Sequence, residues 1–241
     1  MIIKIDGKNI TKDSIDKWRL VRIKKALRTI KKKMYVTDNA DEMIAKLADI
    51  KLKFSYEQMY SLLKKKLHLT SKVMKIGVKL SSKTKFARTE ISIEGISTSD
   101  VALLLDKLML KATPEHNKAN LTACPEHYVL RPIDENSLEV IETCGNAPMP
   151  FQFFIKFGDN TDIKTPHDSS FQYQSIGTAY LKDGTPIGGV RHQFKDIENG
   201  VLAKLCVEFP SLTPNTIIKA HQMHLASEFS YWLQWIKDHA Q

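Results

Sequence analysis

Residues 214–239 (PNTIIKAHQMHLASEFSYWLQWIKDH) read as one unbroken helix whose inward face carries a carboxylate. At about 100° per residue, Ile217, His221, Leu225, Glu228, Trp232 and Trp235 share one face, with His224 at its edge. Lys219, Gln222, Gln234 and Lys237 take the opposite side. Two constraints follow. The apolar stripe must be buried against another layer of structure. Glu228 must be paired or neutralised, because desolvating a lone carboxylate is costly. His224 lies one turn before it on the same side, so His-x-x-x-Glu is a ready half of a metal site. The same spacing also fits hydrogen-bonded core histidines, with Glu228 paired to a basic residue.

The partner layer is legible upstream as strands with one buried face. From His127 onward the hydrophobic period is two. His127–Arg131 and Ser137–Thr143 are short strands joined by 132–136. Phe151, Phe153, Ile155 and Phe157 alternate with Gln152 and Lys156. Phe171–Leu181 and Pro186–Phe194 flank the turn Lys182-Asp183-Gly184-Thr185, and Val201–Phe209 alternates again. Gly188-Gly189 predicts a bulge or bend. Thr89–Glu94 is strand-like, and Ser97 to Asp100 caps a helix running to Leu110. Pro214 opens the last helix at its first position. The expected class is α+β, a curved antiparallel sheet gripping a long C-terminal helix, with a ligand pocket between them.

The first part of the chain is different. Residues 1–88 hold 24 Lys and Arg against 8 Asp and Glu, and the remainder holds 12 against 19. Asp13–Lys33, Asp38–Leu52 and Tyr56–Leu69 predict three helices, the last capped by Ser55. The polar run Ser81–Lys85 predicts a boundary, giving a basic helical region 1–85 and a second region 86–241. The apolar stripe through Trp18, Val21 and Ile30 predicts packing on the second region, with the lysines in solvent. Nucleic acid is disfavoured as a partner, because aromatic interleaving and a recognisable binding motif are missing. Self-association is left open.

No run of about 18 apolar residues exists, and the opening residues lack the apolar core of a signal peptide, so no membrane partner is expected. Three widely spaced cysteines, Cys124, Cys144 and Cys206, without a CxxC pair, suit free thiols and a cytoplasmic location. Phosphate-loop, dinucleotide, nucleophile-elbow and His-Glu-x-x-His motifs are all missing, which removes support for nucleotide chemistry and serine hydrolysis.

A second half of a metal site is available. Leu138, Val140, Glu142 and Cys144 share the more apolar face of their strand, which points Glu142 inward; a solvent-facing edge glutamate is the alternative. His127 opens the preceding strand and can reach Glu142 across the hairpin. Two histidines and two glutamates form a mixed nitrogen and oxygen set suited to zinc, with iron or manganese as alternatives. Cys124 reads as a small buried side chain or, less simply, a thiolate ligand.

These segments together resemble the diacetylphloroglucinol hydrolase and phloretin hydrolase family over residues 95–236. The resemblance rests on Gly95-Ile96-Ser97-Thr98-Ser99-Asp100, Pro125-Glu126-His127-Tyr128, Val140-Ile141-Glu142-Thr143-Cys144-Gly145, Arg191-His192-Gln193-Phe194 and His224-Leu225-Ala226-Ser227-Glu228-Phe229. It implies a Bet v1-like (START-like) helix-grip fold with zinc held by His127, Glu142, His224 and Glu228. It also implies hydrolysis of the carbon–carbon bond between an acyl group and a polyhydroxylated aromatic ring. Protonating the ring carbon needs an acid, and Tyr128, Tyr173 and His192 are the candidates. Two other readings remain: a non-catalytic helix-grip carrier of an apolar small molecule, and nucleic-acid binding by the basic helices.

Overall fold

The computed structural model describes residues 1–81 and 83–240. Ser82, in the expected connector, and Gln241, the last residue of the expected second region, lie outside the described residues. The chain opens with a hairpin, β1 (Ile2–Ile5) and β2 (Lys8–Ile10), followed by α1 (Lys12–Thr29), α2 (Ala40–Leu52) and α3 (Tyr56–Lys79). Then come β3 (Thr84–Glu94), α4 (Thr98–Leu110), α5 (Pro114–Ala123), β4 (His127–Pro132), β5 (Ser137–Glu142) and β6 (Phe151–Phe157). The chain continues through β7 (Tyr173–Tyr180), β8 (Pro186–Ile197), β9 (Gly200–Pro210) and α6 (Asn215–His239).

Local chemistry sets the helix starts. Thr11, Asn39, Ser55, Ser97 and Thr113 each accept a backbone N–H of the first turn, and Ser55 and Ser97 complete reciprocal capping boxes with Gln58 and Asp100. Pro214 is the N-cap of α6 rather than its first helical residue.

Among the described residues the nine strands form one antiparallel sheet in the order β2-β1-β3-β9-β8-β7-β6-β5-β4. On one face it buries α4 and α6. Ile91, Phe194, Ala203 and Leu205 from the sheet pack with Leu225, Ala226, Phe229, Leu233 and Ile236 of α6. Each large side chain buried in this way contributes about 1.5–3 kcal/mol. This is the helix-grip arrangement of the α+β class. A second cluster joins Ile23, Leu27, Met43, Leu47 and Leu63 of the first three helices to Tyr128 of β4 and Ile141 of β5.

The structure departs from the sequence expectations in several places. The first ten residues are strands, folded about Asp6-Gly7, both at positive φ, and β1 pairs with β3. β3 starts at Thr84, so the expected boundary between 85 and 86 falls inside a strand; its polar start pairs with β9 as far as Thr84↔Pro210. α3 runs ten residues beyond Leu69. α5 has no signature in the hydrophobic pattern, because its sequence (PEHNKANLTA) has no helical apolar period. Gly188 and Gly189 sit beside an irregularity between β7 and β8, as expected of a bulge.

Candidate metal centre and ligand cavity

Two elements carry the four expected ligands, the β4–β5 hairpin and α6. In the hairpin, His127 and Glu142 are direct register partners, but the next pair is Val129↔Ile141. Tyr128 is therefore the extra residue of a β-bulge, which shifts the parity of the strand. The shift lets His127 and Leu130 both line the cavity face, together with Leu138, Val140 and Glu142. It turns Tyr128 to the opposite face, among the N-terminal helices. Gly145 brings the end of this hairpin against α6. It has φ +50°, and a Cβ there would lie 2.5 Å from the Ile217 carbonyl oxygen and 2.8 Å from the His221 nitrogen. Only glycine permits that approach without strain.

The four side chains converge. His127 Nε2 and His224 Nε2 are 3.0 Å apart. Glu228 Oε2 is 3.2 Å from the first and 3.3 Å from the second, and Glu142 Oε2 is 3.6 Å from each. A tetrahedral ion with bonds of about 2.0–2.1 Å needs donor atoms about 3.3–3.4 Å apart, and the five distances that involve the two histidines, 3.0–3.6 Å, bracket that value. The set fits in charge as well, since two carboxylates neutralise a divalent cation at a buried position. His127 Nδ1 donates to the Asn120 carbonyl oxygen at 2.8 Å, which leaves the Nε2 lone pair facing the other three groups. Cys144 Sγ donates to Glu142 Oε1 at 3.1 Å. Cys124 lies with His127 and His224 in one cluster, but it faces Nδ1 of His224 at 3.7 Å, behind the ring. It belongs to the outer layer of the site.

The electrostatics call for positive charge. Burial opposes charge on His224, yet Cys124, Glu142 and Glu228 outweigh it and raise its pKa well above the usual imidazole range. Burial would likewise raise Glu228, but His224 and His127 overcome it and hold the carboxylate ionised.

The N-terminal helices form the back wall. Arg19 of α1 donates from Nε to Ser227 Oγ and from Nη2 to the Ser227 carbonyl, both at 2.9 Å, and Ser227 lies directly before Glu228. Arg22 and Lys25 sit 3.5 and 3.4 Å from Glu126, a fully buried carboxylate directly before His127. The edge of the Trp18 ring approaches His224. Most lysines of this region are exposed, as expected. Arg19, Arg22 and Lys51 are buried instead: the two arginines bring charge and hydrogen bonds behind the site, and Lys51 donates to the Pro125 carbonyl. The histidine expected at the edge of the α6 stripe, His224, is fully buried because α1 and α5 cover that flank.

A cavity of about 420 Å³ opens from this cluster between the sheet and α6, with an almost wholly apolar lining that includes Phe151, Phe153, Phe229 and Trp232. The three expected acids fare differently. Tyr128 donates or accepts at Thr143 Oγ1 (3.3 Å) on the far face of the sheet, away from the cavity. Tyr173 donates to Asp106 of α4 at 2.9 Å and stacks on Phe194, outside the lining. Only His192 lines the cavity. Its Nδ1 accepts the Cys206 backbone N–H at 3.3 Å, and burial lowers its pKa to about 4. It is a neutral ring with Nε2–H free to donate. His221, beyond the four expected ligands, also lines the cavity, stacks on His224 and has an unpartnered Nδ1. Its position on the α6 stripe was the signal for it.

No protein-family model and no curated protein matches this chain. Among solved structures it is similar to Ara h 8.0201, at 10% identity over 65% of this chain and 99% of that one, with a TM-score of 0.42. A protein of unknown function from Staphylococcus aureus, SA2116, is 11% identical over 66% and 98%, with a TM-score of 0.38. The human StarD13 (DLC2) lipid transfer and protein localization domain is 10% identical over 72% and 97%, with a TM-score of 0.31. The helix-grip assignment rests on this chain's own sheet and helix.

Proposed function

We propose that the chain is a metal-dependent hydrolase that cleaves the carbon–carbon bond between an acyl group and a polyhydroxylated aromatic ring. The observation that carries the reading is the convergence of two histidines and two glutamates, with donor atoms 3.0–3.6 Å apart across both histidines, at the end of an apolar cavity of ligand size that His127, Glu142 and Glu228 line. His127, Glu142, His224 and Glu228 would hold zinc, with iron or manganese as alternatives, and the ion supplies Lewis acidity and activation of water. The apolar lining orients the ring and excludes bulk water. His192, on the cavity wall, would donate a hydrogen bond to a ring or carbonyl oxygen, and His221 has an unpartnered ring nitrogen nearby. The resemblance of residues 95–236 to diacetylphloroglucinol and phloretin hydrolases supplies the bond type and substrate class.

One observation favours a second reading, a carrier of an apolar small molecule. Neither expected tyrosine reaches the cavity, and among the described residues no tyrosine lines it to protonate a departing ring. The test is to determine the metal content of the purified chain and to incubate the loaded protein with mono- and diacylphloroglucinols, phloretin and esters of similar shape. Release of the carboxylic acid and the deacylated ring is expected. Cleavage of esters alone would discard the carbon–carbon chemistry, and tight binding without turnover would assign a carrier.

A further inference from the structure

The two halves of α3 pack differently. Up to Leu67 the helix buries Met59, Leu63 and Leu67 among the N-terminal helices. Beyond that point Leu69, Val73, Ile76 and Leu80 are 50%, 61%, 60% and 71% exposed. Their spacing of four, seven and eleven residues places them on one narrow stripe of the helix surface. Lys65, Lys72 and Lys79 flank one side of it and Lys66 the other, and none of these four makes an ion pair among the described residues. Glu57, at the far end, is the only acid of the helix.

This half of α3 is also the lip of the cavity. Thr70, Val73, Met74 and Gly77 line the opening, joined by Leu212, which is 57% exposed. The lip is fastened by Thr70 Oγ1, 3.0 Å from the Pro150 carbonyl oxygen, by Ser81 and Ser211 hydroxyls 2.8 Å apart, and by a Lys75–Asp183 ion pair.

We propose that this stripe docks the protein on the surface of an anionic lipid bilayer, with the mouth of the cavity against the membrane. An amphipathic helix of this kind buries its apolar residues at the acyl boundary while the flanking lysines meet anionic headgroups. A second copy of the chain is a poor occupant, because pairing two such stripes sets lysines against lysines. Docking gives an apolar compound dissolved in the bilayer a path into the cavity that avoids water. No helix among the described residues is long and apolar enough to cross a membrane, so the contact is peripheral. The inference stands whether or not the site holds a metal.

The test is co-sedimentation of the full chain with vesicles of phosphatidylcholine alone and with vesicles containing about one third phosphatidylglycerol. Binding is expected only to the second, and it should weaken at least about tenfold as salt rises towards 0.5 M, where screening is nearly complete. Ile76→Glu with Leu80→Glu should weaken it about tenfold or more at an unchanged circular dichroism spectrum. Lys65→Gln, Lys66→Gln and Lys72→Gln together leave the apolar packing intact and should also weaken it. Val21→Glu, exposed on α1, should bind as wild type. The proposal is overturned if wild type ignores phosphatidylglycerol vesicles or if the α3 variants bind as wild type does. It is equally overturned if sedimentation velocity shows a wild-type dimer that the α3 substitutions dissolve.

Discussion

Glu228→Gln removes one anionic ligand while keeping the shape of the site. The residue is 7% exposed, and its Oε2 lies 3.2 Å from His127 Nε2 and 3.3 Å from His224 Nε2. A four-ligand zinc site binds with about 10–16 kcal/mol, so one ligand in four accounts for about 2.5–4 kcal/mol, roughly a hundred- to thousand-fold in affinity. At free zinc about 100-fold above the wild-type Kd, binding stabilises the wild-type fold by about 2.7 kcal/mol. In a chain of this length that is about 5–10 °C in Tm. At the same zinc concentration the variant sits at or below its own Kd, gains about 0.4 kcal/mol or less, and shifts by about 1 °C. In the chelated forms Gln leaves His127 and His224 without this carboxylate, and removing one partner of a buried pair costs about 3–5 kcal/mol, so the stripped variant should melt below the stripped wild type and each zinc-induced shift is read against its own stripped form. The assay is thermal melting of chelator-stripped protein titrated with buffered zinc. An equal zinc-induced shift in both proteins would refute the reasoning and leave Glu228 as an ordinary core carboxylate.

Three further outcomes are expected. Arg19→Ala should lower unfolding stability by about 1.5–3 kcal/mol in urea titrations, since it removes two charge-assisted hydrogen bonds to Ser227, whose hydroxyl keeps only the Ala123 carbonyl and whose carbonyl keeps the Ser230 hydroxyl; an unchanged midpoint would uncouple α1 from the site. Gly145→Ala should cost about 1–3 kcal/mol and weaken zinc binding, because its Cβ forces the hairpin away from Ile217 and His221; full affinity in the variant would count against the close approach. Burial lowers the pKa of Lys51 to about 7, and its Nζ donates to the Pro125 carbonyl at 2.7 Å. Below pH 7 the lysine is charged in both states and its penalty is complete. Between about 7 and 10.5 only the unfolded chain keeps the proton, so stability should rise with pH by up to about 1.4 kcal/mol per unit. Lys51→Met should flatten that rise, and parallel pH–stability curves for the two proteins would remove Lys51 as its source.

The strands from His127 to Phe209, the long closing helix and the inward turn of Glu142 and Glu228 were all legible in the sequence. Period-two and period-3.6 hydrophobic patterns record which face of an element is buried, and a carboxylate on such a face announces a partner. Helix starts were legible where a capping side chain acts within three residues, as at Ser55 and Ser97. Other features have no local signature. The β1–β2 hairpin is short and half exposed, and it is stabilised by pairing of β1 with β3, nearly ninety residues away. The bulge at Tyr128 is set by register against β5, so period-two reading could not say that His127 and Leu130 share the cavity face. Tyr173 is taken by Asp106 of a separate helix, a contact that only packing creates. The basic residues of α1 read as solvated charge until α6 and Glu126 are folded against them. Sequence alone thus determined which residues had to be buried and which of these were chemically unsuited to burial. Tertiary structure decided which of them meet, because bond-length geometry at a site depends on register and helix packing between segments distant along the chain.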